Sequence, residues 1–92
     1  MKYVLLGTLS AEWAMRHGER VATASAKLNA LGIKLISVHY TQGEYDFVDV
    51  VEAPDTEAML AFSVWYVKQG SGRIRTMPAF DGGAFERALA KA

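Results

Sequence analysis

The chain has no cysteine, which excludes disulfides, thiolate-held metals and a cysteine nucleophile. Histidine is scarce too: His17 and His39 are the only two, too far apart in sequence to form a metal-ligand pair. Charge of one sign is lacking, since ten basic residues balance ten acidic ones and the formal net charge is zero. A nucleic-acid binder carries a basic surplus clustered on one face, so nucleic acid is not an expected partner. No apolar run approaches the ~18 residues of a membrane helix. The opening Met1-Lys2-Tyr3-Val4-Leu5-Leu6-Gly7 runs into a strand pattern without the small-residue cleavage site of a signal peptide. The expectation is a cytoplasmic protein without membrane contact. Phosphate loops are absent as well, because Gly70-Ser71-Gly72 ends a helical pattern whereas anion sites sit at helix starts. There is no Gly-x-Ser-x-Gly elbow. No catalytic set, metal or cofactor is therefore expected.

What is present is one domain, residues 1–92, with 51% apolar residues. A chain this short buries only about 60–65% of its unfolded surface and gains from a partner. Tyr3 to Leu9 is an apolar run of strand length. Ser10, followed by Ala11 and Glu12, reads as a helix start with a capping hydroxyl and an early carboxylate. Gly18 weakens that helix by about 1 kcal/mol, predicting a kink near His17–Gly18 and a second helical stretch from Glu19 to Leu31. There Val21, Ala24, Leu28 and Leu31 form an apolar stripe, closed by Gly32 as a left-handed cap. Ile33 to Thr41 and Asp46 to Ala53 read as strands of a β-hairpin turning at Gln42-Gly43-Glu44. Pro54-Asp55-Thr56 starts a helix running to Gln69. Arg73 to Phe80 is a fourth strand, Asp81-Gly82-Gly83 a loop, and Ala84 to Leu89 a terminal helix. The order β-α-β-β-α-β predicts an α+β, ferredoxin-like fold with a four-stranded antiparallel sheet and both main helices on one face.

In a monomer of that kind the uncovered sheet face turns polar. Here Tyr3, Leu5 and Leu9 point one way and Val4 and Leu6 the other. Phe47 and Val51 likewise oppose Val48 and Val50. Both faces need cover, and one chain has helix enough for one. The simplest closed solution is an isologous homodimer. The helix from Thr56 to Gln69, with Met59, Leu60, Phe62, Val64, Trp65, Tyr66 and Val67, leaves almost no polar side and is expected to touch a neighbour too.

The segment Tyr40-Thr41-Gln42-Gly43-Glu44-Tyr45-Asp46-Phe47-Val48, followed by Val51-Glu52-Ala53-Pro54-Asp55, closely resembles the GYD domain family, named for a Gly-x-Tyr-Asp-type signature. The resemblance extends from the opening apolar strand through Gly32 to Arg75-Thr76-Met77-Pro78-Ala79-Phe80. It implies a small bacterial protein with a ferredoxin-like, dimeric α/β-barrel fold, in a family largely without assigned function. The hairpin is also similar to that of the effector-binding domain of leucine-responsive regulators, where such a turn lies near an amino-acid pocket. The helix-turn-helix half of those regulators is missing here.

Candidate site residues gather on three features. At the turn, Gly43 is expected to take a positive φ and Asp46 to accept backbone N–H bonds, with Thr41, Gln42, Glu44 and Tyr45 as ligand contacts or simply as register-setting residues. On the hairpin strands, His39 and Asp49 are candidate ligand anchors or bases, or a structural histidine and a paired carboxylate. A charge inside a sheet needs a partner, for which Arg75, Arg73 or another subunit is expected. At the helix break, Trp13 and His17, beside Arg20, are candidates for the mouth of a cleft. Trp65 and Tyr66 read as core or interface. These features point to an oligomer that senses or carries a small molecule near the Gly43–Asp46 hairpin. The alternatives are a cofactor-independent monooxygenase or isomerase of the same fold, and an assembly subunit without a small ligand.

Overall fold

A computed structural model describes all residues from Met1 to Ala92. The elements are β1 (Lys2–Gly7), α1 (Ala11–Ala14), α2 (His17–Ala30), β2 (Lys34–Tyr40), β3 (Phe47–Glu52), α3 (Thr56–Lys68), β4 (Ile74–Pro78) and α4 (Gly82–Lys91). The four strands form one antiparallel sheet in the order β2-β3-β1-β4, the ferredoxin-like arrangement. No helix is long and apolar enough to cross a membrane.

Strand alternation divides the side chains between two faces. Registers β1–β3 and β2–β3 set Leu35, Val51 and Tyr3 in one row, Val38, Asp49 and Leu5 in the next, and Tyr40, Phe47 and Gly7 in a third. These rows lie under α2 and α3 and supply the core: Tyr3, Leu5, Phe47 and Val51, packed against Leu28 of α2 and Met59, Phe62 and Tyr66 of α3. Gly7 leaves room in this layer for the Phe47 ring, which a Cβ there would overlap. The other face carries Ser37, Val50, Val4 and Met77 in one row and His39, Val48, Leu6 and Arg75 in the next. Nothing in the chain packs over it. The shortest dimension of the molecule, 19 Å, is that of two layers, since stacked layers lie ~10 Å apart.

Caps follow local sequence. The side chains of Ser10, Asp55 and Asp81 accept from the backbone N–H of Trp13, Ala58 and Ala84, satisfying donors that a helix start leaves orphaned. Gly32 and Gly43 hold φ of 72° and 115°, as a left-handed cap and a tight turn require.

Three details differ from the sequence reading. The break in the first helix falls at Met15–Arg16 and not at His17–Gly18: Arg16 leaves helical geometry at φ −112°, ψ 47°. The guanidinium of Arg16 stacks 4.3 Å over Trp13 and pairs with Glu12 and Glu19, which holds the corner and lets Gly18 stay helical. The buried line of α2 runs through Arg20 and Leu28, while Val21 lies at its margin, 38% exposed. Last, Gly82 and Gly83 belong to α4, because the Asp81 cap starts the helix before them. That helix buries none of its residues, and its Phe85 and Leu89 are exposed.

Candidate functional site

The covered face of the sheet is not uniformly filled. Between α2 and the edge strand β2 lies a cleft of about 60 Å³. Its wall is mostly hydrocarbon, including Val21, Ala24, Leu28, Val38 and Phe62, and its polar members include Arg20, Tyr40, Asp49 and Tyr66. The edge strand leaves it accessible: Leu35, Val38 and Tyr40 are 40%, 39% and 54% exposed.

Arg20 reaches the cleft because it occupies the core-facing line of α2 one helical turn before Ala24. It is only 6% exposed. Its Nη2 donates to the Tyr40 hydroxyl at 3.3 Å and to His17 Nδ1 at 3.1 Å, and the His17 and Tyr40 rings meet edge-on at 5.5 Å. The guanidinium also lies over the Tyr40 and Phe47 rings, 5.8 and 5.9 Å from their centroids, within the range of cation–π attraction. Its Nε–H has no partner in the chain.

Asp49 comes up from β3 between Val38 and Leu5. Its Oδ1 is buried without a partner. Burial pushes its carboxyl up to about 6, against the opposing pull of Arg20 and His39. Burial likewise pushes the Tyr66 phenol up to about 12, against the pull of Arg20. The Tyr66 hydroxyl donates to the Thr8 carbonyl at 3.4 Å. An acid near pH 6 beside a fixed cation in an apolar cleft can hold a polar head group or exchange a proton with it.

The sequence-derived candidates are spread over three places. Asp49 lines the cleft and His17 stands at its rim through Arg20. His39 neighbours Val38 on β2, so strand alternation turns it to the open face, away from Asp49. The cation near Asp49 is Arg20, not Arg75, which sits on the open face, or Arg73. Trp13 is committed to its Arg16 stack. Thr41, Gln42 and Glu44 are exposed at the turn, with the Thr41 hydroxyl donating to the Tyr45 carbonyl at 2.7 Å. Glu44 and Tyr45 border a separate depression beside Thr8, Arg73 and Arg75. Asp46 fastens a neighbouring loop: its Oδ2 accepts the Leu9 N–H at 2.7 Å, while its own N–H donates to the Gly7 carbonyl at 2.8 Å. The residues that sequence reasoning passed over are Tyr40 and Tyr66 as cleft members. Arg20 had a legible signal, a charge at the head of the Ala24–Leu28 stripe. No group of three or more His, Asp or Glu residues is placed to hold a metal ion.

These features define an α+β ferredoxin-like protein with one open sheet face and a polar-centred cleft beneath α2. The chain belongs to the GYD domain family, whose model matches residues 3–89. It is also similar to a protein of Thermus thermophilus described as a glutamine synthetase and cystathionine beta-lyase binding protein. The two are 28% identical over 81 residues, covering 84% of this chain and 85% of that protein.

Proposed function

We propose that this chain is the subunit of a homodimer, or a larger even-numbered oligomer, that binds a compact small molecule in the cleft between α2 and the hairpin strands. The observation that carries the reading is Arg20 and Asp49, a buried cation and a half-buried carboxyl that both line an apolar cleft, with Arg20 Nε and Asp49 Oδ1 buried and without partners. Buried polar groups are normally satisfied, and a ligand head group would satisfy these. The hairpin turn with Thr41, Gln42, Glu44 and Tyr45 offers a second polar surface outside the cleft, held to the neighbouring loop by Asp46. The oligomer is supported by the half-buried Val4, Leu6, Val48 and Val50 on a face that no element of the chain covers. Light scattering at low micromolar concentration is expected to give a dimer or a multiple of two, and a folded monomer would sink that part. A thermal-shift screen of amino acids, small organic acids and aromatic metabolites is expected to yield a stabilising compound, because ligand at a hundredfold excess over Kd adds about 2.7 kcal/mol. Asp49→Asn should abolish the shift. No hit in a broad screen would sink the ligand reading. Turnover of a hit would move the cleft to cofactor-independent proton transfer, with Asp49 as the titrating group.

A second reading is protein docking, favoured by the description of the Thermus thermophilus relative and by an apolar stripe on the outer side of α3, where Leu60, Val64 and Val67 are exposed. Val64→Lys should then abolish co-purification with glutamine synthetase or cystathionine beta-lyase and leave small-molecule shifts intact.

A further inference from the structure

Arg20 and Asp49 line the same cleft, and each has one buried polar atom without a partner: the Nε of Arg20 and the Oδ1 of Asp49. The ion pairs of the chain join Met1 to Glu52 and Arg16 to Glu12 and Glu19, so these two charges are close enough to influence one another without pairing. The Nη2 of Arg20 is already committed to His17 and Tyr40, which fixes the guanidinium, and Nε–H is its buried donor without a partner. Around both groups the wall is hydrocarbon: Val21, Ala24, Leu28, Val38 and Phe62.

We infer that the cleft takes a compact uncharged molecule with a short branched hydrocarbon body and a primary carboxamide head, its oxygen accepting from Arg20 Nε–H and its nitrogen donating to Asp49 Oδ1. This deepens the ligand-binding reading above and rests on it. The match is one of bond type and charge. A carboxylate would suit Arg20, but it would turn a second acceptor on Asp49 and bring a net negative charge. An amine would suit Asp49 and set a second cation beside Arg20. The carboxamide separates acceptor from donor and adds no charge to a cation and carboxylate that already balance. The cavity of about 60 Å³ is several times what one water needs, which admits a short branched alkyl group and excludes a long one.

The test uses the full chain with isobutyramide, N,N-dimethylisobutyramide and isobutyrate as probes near neutral pH. Heteronuclear NMR follows the Arg20 Nε–H resonance and the backbone amides of Val38 and Asp49. Isobutyramide should shift all three saturably. The dimethyl amide, which cannot donate to Asp49, and isobutyrate should bind about tenfold more weakly or not at all, because hydrogen bonds to charged groups contribute that much. Ala24→Phe fills the cleft without touching either polar group and should abolish the shifts. Val38→Trp on the edge strand provides the same block if Ala24→Phe fails to fold. Equal binding of isobutyramide and its dimethyl form, or binding that survives both blocks, overturns the proposal. Binding of isobutyrate in preference to the amide overturns the head-group assignment and leaves the ligand reading standing. If no probe reaches the cleft, the amide assignment falls, and the broad thermal-shift screen decides the parent reading separately.

Discussion

The helix-covered face of the sheet has two unlike halves. Over β1 and β3, α3 lays Met59, Phe62 and Tyr66 onto Tyr3, Leu5 and Val51, and Leu5, Met59 and Val51 are fully buried. Over β2, α2 offers Arg20, Ala24 and Leu28 to a strand whose Leu35, Val38 and Tyr40 stay partly in solvent. The first half is filled with large, fully buried apolar side chains. The second combines small residues with one long cation, and a cleft with a polar centre is the result. The same layer therefore divides its labour: α3 supplies stability, and the α2 side gives up some packing to present Arg20 and Asp49.

The contrast is sharpest for truncation. Leu5→Ala in the packed half should cost about 2–5 kcal/mol, against less than about 1 kcal/mol for Val21→Ala at the margin of the cleft, where little cavity is created. Denaturant midpoints measure both, and equal losses would mean that the halves are equally packed. Gly7→Ala probes the same layer from the opposite direction. Its Cβ would overlap the Phe47 ring, so overpacking should cost about 1–3 kcal/mol, and an unchanged melting temperature would show that Phe47 swings away freely.

Asp49 should behave as a carboxyl whose ionisation opposes folding. Its pKa is raised from 3.8 to about 6 in the folded chain, so the native state holds the proton more tightly than the unfolded one. Stability then falls as pH rises from about 4 to 6 and stays low above that window. Asp49→Asn should remove this slope and stabilise the protein at pH 7 by on the order of 1–2 kcal/mol, allowing for the screening of a group that is partly open to solvent. Parallel slopes in the two proteins would mean that Asp49 titrates normally. The smallest effect belongs to the turn, which touches neither half. Gly43 holds φ 115° with open space around its missing Cβ, so Gly43→Val should lose about 1 kcal/mol through backbone strain alone.

Much of this architecture is legible in the amino-acid sequence alone. The strand-length apolar runs from Tyr3 and Asp46, the glycine turn at Gly43 and the caps at Ser10 and Asp55 each rest on short-range chemistry, and all five appear in the structure. Apolar residues on both sides of β1 and β3 were equally plain, since strand alternation assigns faces without knowledge of neighbours. The helix break moved by two residues because the Arg16–Trp13 stack and its two carboxylates outweighed a glycine's modest penalty. The start of α4 moved because the Asp81 cap overrode two glycines in the same way.

The site was less readable because it depends on register. His39 and Asp49 belong to the two strands of one hairpin, yet the pairing of Val38 with Asp49 and of His39 with Val48 sends them to opposite faces. A bulge between Leu35 and Ser37 shifts the alternation of β2, so Tyr40 turns toward Arg20 for a reason that no pattern of apolar residues records. By itself, the sequence determined the βαββαβ order, the turn and a sheet with two apolar faces, because each follows from local conformational preference and periodicity. Only the tertiary structure decided that Arg20 meets Tyr40 and His17, that Asp49 shares their cleft, and that Arg75 does not. Those proximities arise from strand register and helix rotation, which long-range packing sets once the whole sheet has formed.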